Sequence, residues 1–305
     1  MTDAKLAGLE ERFADVEGVR LRYFVGGSGP PLVLVHGLGG AAANWTELVP
    51  RMAPRYRLLV PDLPGHGGSA ALPAVEGLGS FADQVTLVAE QEGMLPAPFV
   101  GHSMGGLVVL RLALSRPEAA QAVVLAGAAG LSTGGFWGRQ LMTFMSAVRP
   151  GRVAARYRVR VSRSPLLRRF VFGFVSVADP VALSGEAVEG FLAGQLLHTD
   201  VRSAWRALLT DDPRQDLEAL RSPALVLWGA EDVQLPLDDA FEYTRRLRAR
   251  LRVIPGCGHL LIGERPDACA RAIDDFLGPN GPVVAEEGAA RGKHGFPRGN
   301  RGAQI

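Results

Sequence analysis

The stretch from Ala97 to Leu114, APFVGHSMGGLVVLRLAL, constrains the fold more than any other part of this 305-residue chain. An apolar pair, Phe99-Val100, stands behind Pro96 and Pro98. It runs into Gly101-His102-Ser103-Met104-Gly105-Gly106 and straight on into Leu107, Val108, Leu110, Leu112 and Leu114. That order predicts a strand, a very tight turn and a buried helix. Gly101 and Gly105 suit a turn whose strand and helix approach too closely for a Cβ. Ser103 falls at the apex, in strained backbone geometry, with its hydroxyl exposed above the sheet. The helix start beside it leaves N–H groups without internal partners, ready for an anion.

The rest of the chain repeats the strand–helix theme. Val19–Val25 alternates and predicts a strand, antiparallel to one near Phe13–Val16. Leu32–Val35, Leu58–Val60, Ala122–Leu125, Ala224–Trp228 and Leu251–Ile254 are short apolar runs, as strands buried on both faces of a parallel sheet are. Helical patterns fall between them at Phe81–Glu92, Ala240–Leu247 and Pro266–Leu277, and Asn44 is expected to cap a helix of Trp45, Leu48, Val49 and Met52. The alternation implies an α/β fold, a mostly parallel twisted sheet with helices on both faces.

Between about Leu131 and Asp212 the rhythm breaks. Helix-like runs follow one another there: Trp137–Val148, Val153–Val161, Leu166–Val177, Glu186–Leu197 and Val201–Leu209. We read residues 131–212 as a helical cap over the C-terminal edge of the sheet, where ligands bind in such architectures. The core is then 1–130 with 213–278. Residues 279–305, rich in Gly, Pro and Arg, read as a flexible tail.

Composition excludes several classes. A hydrophobic share of 47% with 21% charged residues describes a soluble globular chain, and a net charge of +2 gives no reason to expect nucleic acid. No apolar run is long enough to span a bilayer, so no integral membrane segment is expected. Cys257 and Cys269 form neither a disulfide framework nor a zinc spacing, and no metal or cofactor is expected. The start, MTDAKLAGLEERF, has charges where a signal peptide needs an apolar core, so cytoplasmic is the expectation.

A serine hydroxyl becomes a useful nucleophile when a base removes its proton, and histidine is the usual base. Of six histidines, His259 lies in the glycine-bounded loop Pro255-Gly256-Cys257-Gly258-His259 directly after the last strand. That position suits a reach to Ser103. A carboxylate is needed to hold the imidazole's tautomer, and Asp232, in Trp228-Gly229-Ala230-Glu231-Asp232, follows the preceding strand in the same way. Glu231 competes for that role. For an oxyanion, the backbone N–H groups of Met104 and of Leu38, in the glycine loop after Leu32–Val35, are the candidate donors. Gly37, His102, Phe136 and Trp137 are candidate substrate-binding residues, with His102 also a candidate support for the site. His36 is expected to shape its loop, and Cys257 to be a packed thiol.

HGLGG at 36–40, PDLPGHGGS at 61–69, GHSMGG at 101–106, WGAED at 228–232 and GCGHLL at 256–261 together resemble the α/β-hydrolase superfamily. The resemblance covers roughly Val19 to Leu277, and the order Ser103, Asp232, His259 is the family's order of nucleophile, acid and base. It implies a helical cap after the sixth strand, a bracing role for the loop of Asp62 and His66, and a serine hydrolase acting on an ester or related acyl bond of a largely apolar small molecule. The same residues suit a carbon–carbon bond hydrolase, a thioesterase or a cofactor-free perhydrolase. A small-molecule receptor on this fold is the rival from another class.

From Ala119 to Ala178 there is no Asp or Glu, while Arg139, Arg149, Arg152, Arg156, Arg158, Arg160, Arg163, Arg168 and Arg169 all appear. Arg149, Arg152, Arg156, Arg160 and Arg163 follow helical spacing. A solvated face is the plainer reading. A docking face for an anionic carrier, cofactor thioester or lipid surface is the alternative.

Overall fold

The computed structural model describes Leu6 and residues 8–132, 150–173 and 177–278. Eight strands form one sheet: β1 Leu9–Val16, β2 Val19–Gly27, β3 Pro31–Val35, β4 Arg57–Pro61, β5 Ala97–His102, β6 Ala120–Ala126, β7 Ala224–Gly229 and β8 Arg250–Ile254. Their order across the sheet is β1-β2-β4-β3-β5-β6-β7-β8. β1 pairs antiparallel with β2, and β2 antiparallel with β4. Every later pairing is parallel. Glu17 and Gly18, both at positive φ, close the first hairpin, and Asp15 Oδ1 accepts from the Gly18 N–H.

The continuous apolar runs are explained by burial on two sides. In β3, Val33 and Val35 enter a cluster with Phe81, Leu107, Val108 and Tyr243. Leu32 and Leu34 point the opposite way, into a cluster with Trp45, Leu48, Ile273 and Phe276. β6 repeats this, with Val123 and Leu125 on the first side and Val124 and Ala126 on the second. A period of two sorts each strand between both cores. Helices Gly79–Gln91, Met104–Ser115 and Leu237–Leu247 supply the first cluster, and helix Pro266–Leu277 the second.

Between β6 and β7 lie helices Pro150–Arg156, Arg158–Arg163, Pro165–Phe172, Gly185–Ala193 and Val201–Thr210. The expected run Trp137–Val148 lies outside the described residues. The run expected at Val153–Val161 is divided at Tyr157, and the one from Leu166 stops at Gly173. Ser164 and Ser184 cap two of these helices by accepting from the N–H groups of Leu167 and Ala187.

Asn44 does not cap the helix expected after it. It sits within a short 3-10 turn, Ala42–Trp45, where its Oδ1 accepts from Ala41 N–H at 3.2 Å, and the following α-helix is only Val49–Met52. Pro50 explains the shift: it fits a first helical turn, so the helix starts around it rather than at Trp45.

Candidate active site

The site lies where the parallel strands end. β5 stops at His102, Ser103 takes φ 55° and ψ −122°, and the helix begins at Met104. A side-chain-bearing residue at positive φ is strained, and neighbouring bonds hold it there. The Ser103 N–H donates to Ala126 O at 3.0 Å, and Ser103 O accepts from Gly106 N–H at 3.0 Å and Ala129 N–H at 3.1 Å. The two glycines of the turn are sterically required. A Cβ on Gly101 would strike the Gly105 carbonyl, and one on Gly105 would strike the carbonyls of Val35 and His36.

The loops after β7 and β8 bring the other two groups. His259 Nε2 lies 3.0 Å from Ser103 Oγ, and His259 Nδ1 lies 2.8 Å from Asp232 Oδ2. A carboxylate accepts, so Nδ1 carries the proton and Nε2 is left to accept from the serine hydroxyl. Asp232 is itself anchored, its Oδ1 accepting from the N–H groups of Gln234 and Leu235, both at 2.9 Å. Glu231 is exposed and its side chain takes no part; its N–H donates to Cys257 O at 2.9 Å, which ties the two loops together. Ser103, His259 and Asp232 thus form one hydrogen-bonded chain.

His102 stands behind this chain. It is buried, and its Nε2–H donates to the backbone carbonyl of His259 at 2.8 Å. The bond ties His102 to the loop carrying the imidazole. Burial and the neighbouring His259 push His102 down to about 3, so it is neutral near pH 7. Glu264 supports the same loop from below, its Oε2 accepting from Gly258 N–H at 3.0 Å and from Ala178 N–H at 2.9 Å. Sequence reasoning missed Glu264, which follows the loop on a four-residue helix, Leu261–Glu264, too short to leave a periodic signal.

The glycine loop after β3 is held from both sides. A Cβ on Gly37 would come within 2.9 Å of Ser103 Cβ, so this backbone passes directly beside the serine. Gly39 O accepts from His198 Nε2–H at 2.9 Å and Gln195 Nε2–H at 2.5 Å. His198 in turn accepts from Gly67 N–H at Nδ1, and its ring packs on His66, which packs on His36. Asp62 braces the same region, with Oδ1 accepting from Ala42 N–H at 2.7 Å and Oδ2 paired with Arg22 at 2.6 Å. Leu38 lies within this braced loop. Met104 opens its helix, so its N–H is one that a helix leaves unpartnered internally. Phe136 and Trp137 lie outside the described residues. Among those described, no group of three or more His, Cys, Asp or Glu could hold a metal ion. Cys257 is buried and burial pushes its thiol up, as suits an inert packed group.

The model of the alpha/beta hydrolase family matches residues 32–272, a span that includes Ser103, Asp232 and His259. The chain belongs to the alpha/beta hydrolase family. It is 33% identical over 87% of its length to the dihydrolipoyllysine-residue acetyltransferase component of the acetoin cleaving system of Pseudomonas putida, covering 68% of that protein. It is 32% identical over 81% of its length to the pimeloyl-[acyl-carrier protein] methyl ester esterase of Nitrosomonas europaea, covering 96% of it. A hydrolase from Pseudomonas aeruginosa superposes with a TM-score of 0.66 at 24% identity, over 88% of this chain and 98% of that one, a likeness of fold. The family and the esterase relative support hydrolase activity.

The buried histidines of this alpha/beta hydrolase set a pH dependence of stability. His36 and His66, like His102, are held below the usual 6.5, burial being the largest cause for each. Below about pH 6.5 the unfolded chain therefore binds protons that the folded chain refuses, and stability falls as the pH falls. For His102 the fall continues down to about 3. Each such histidine contributes about 1.4 kcal/mol per pH unit within its window. Asp239 and Glu264, raised by burial, act in the opposite sense, so the histidine share is read by difference. Between about pH 6.5 and pH 5 the parent should lose about 2 kcal/mol that His102→Asn does not lose. Urea unfolding at a series of pH values measures this, and parallel curves for the two proteins would refute it.

Proposed function

We propose that this protein hydrolyses a carboxylic ester, or a related acyl bond, of a largely apolar small molecule through an acyl-enzyme. The observation that carries the reading is the hydrogen-bonded chain from Ser103 Oγ through His259 to Asp232. Ser103 Oγ attacks the carbonyl carbon while His259 Nε2 takes its proton. The negative oxygen that forms sits between the N–H groups of Leu38 and Met104. As the carbon–oxygen bond breaks, His259 returns the proton to the departing alcohol. Water, deprotonated by the same imidazole, then attacks the acyl-serine, and the imidazolium returns that proton to Ser103 Oγ as the acid leaves. Asp232 keeps the Nδ1 proton in place and stabilises the imidazolium throughout.

A serine at the apex, where some members of the superfamily carry an aspartate, favours acyl transfer. The esterase of Nitrosomonas europaea, 32% identical, is by its name a methyl ester hydrolase and lends support. We read residues 131–212 as the cap that shapes the substrate cavity, and the apolar substrate is inferred from that segment's composition. Two of its aromatics have other settings: Phe172 packs on Phe191, and Phe170 faces solvent.

Steady-state hydrolysis of p-nitrophenyl esters of increasing acyl length tests the proposal. Multiple turnover with a length optimum is the expected result, and the optimum sizes the cavity. One covalent event without turnover would point to the receptor reading. Cleavage confined to thioesters or to carbon–carbon substrates would move the chain to those activities on the same residues.

A further inference from the structure

The arginine-rich segment divides sharply into an inner and an outer side. Ala155, Val161 and Phe172 face inward and are buried in the second core cluster. Arg168 belongs with them: its guanidinium donates to the carbonyls of Ser162, Val181 and Leu183 and ties the segment together. The outward positions carry two kinds of side chain. Arg152, Arg156, Arg160, Arg163 and Arg169 are exposed, and none forms an ion pair with an acid among the described residues. Between them stand large apolar groups: Leu166 is 77% exposed, Phe170 73%, Val153 63% and Tyr157 53%.

A solvated helix face accounts poorly for this surface. Such faces mix acids with bases and carry short polar residues, whereas here no acid occurs from Ala119 to Ala178. Leu166 and Phe170 are four residues apart within one helix, Pro165–Phe172, so they share a face of it. Single exposed apolar residues are ordinary, but four large ones within eighteen residues, interleaved in sequence with exposed cations, mark a surface that meets something. The Arg160 guanidinium over the Tyr157 ring, 5.7 Å from its centroid, holds charge and aromatic together.

We propose that this face docks on an anionic lipid surface, with arginines 152, 156, 160, 163 and 169 at the phosphates and Leu166 and Phe170 in the headgroup–acyl boundary. Charge complementarity selects an anionic partner. The protruding apolar side chains select lipid over an acidic protein, whose carboxylates would satisfy the arginines and leave Leu166 and Phe170 against polar groups. Basic helices carrying Phe and Leu bind at interfaces in this way without crossing. No helix among the described residues is long and apolar enough to cross a membrane, so the contact is peripheral.

Cosedimentation of the full chain with phosphatidylcholine vesicles, with and without phosphatidylglycerol, tests the proposal. Binding should require phosphatidylglycerol and weaken as salt is added. The variant R156Q/R160Q/R163Q should lower the partition coefficient on the order of a hundredfold, since each basic residue near such a surface counts for about fivefold. L166S/F170S should lower it roughly tenfold or more. Both should keep the parent's circular dichroism melt, which separates lost docking from lost fold. No binding to phosphatidylglycerol vesicles would overturn the proposal. So would binding that the arginine variant loses and L166S/F170S keeps, the signature of a site for an acidic macromolecule. The readout is partition, independent of the bond the enzyme cleaves.

Discussion

Ser103→Ala should lower kcat on p-nitrophenyl esters on the order of a millionfold, as removing a nucleophile from a group of residues that works as a unit does. The substitution removes one oxygen and the bond from Ser103 Oγ to His259 Nε2, leaving the Asp232–His259 bond intact. It does not relax the backbone, because alanine at φ 55° carries the same Cβ strain as serine. The melting temperature should therefore stay near the parent's while turnover disappears. A fluorophosphonate probe should add its mass to the parent and not to the variant. Turnover retained in the variant would refute the acyl-enzyme.

Asp232→Asn should cost about ten-thousandfold in kcat, with the protein still folded. The reason lies in how the side chain is held. Asp232 Oδ1 accepts from two backbone N–H groups, of Gln234 and Leu235, and an asparagine would keep its carbonyl oxygen there. Its NH2 group would then face His259 Nδ1 and donate to it. The imidazole would be driven to carry its proton on Nε2, facing Ser103, where it cannot accept from the hydroxyl. Glu231→Gln, at an exposed position one residue away, should change kcat less than about twofold. A larger loss in Glu231→Gln than in Asp232→Asn would reverse the assignment.

Much of the fold was legible because its causes are local. The alternation of Val33 and Val35 against Leu32 and Leu34 sorts a strand between two cores, and that needs only a period of two. Gly101 and Gly105 mark the turn because no Cβ fits there, and the positive φ of Ser103 follows. The expected cap on a helix at Asn44 failed for an equally local reason, since Pro50 moves the helix start beyond Trp45.

By itself, then, the amino-acid sequence determined the order of strands and helices, the doubly covered sheet, and a serine, a histidine and a pair of adjacent acids placed at strand ends. These follow from residue type, spacing and position at strand ends. Tertiary structure alone decided that Asp232 rather than Glu231 meets His259, that His102 holds the His259 carbonyl, and that His198 clasps the loop of Gly39. It also decided which arginines turn inward, as Arg168 does, and which face out, as Arg156 does. Adjacent acids in a loop share the same local signals, and donors far apart in the chain have no register to betray them. Their partners are selected by where distant backbones come to rest, to within a few tenths of an ångström, and only the packed molecule sets that distance.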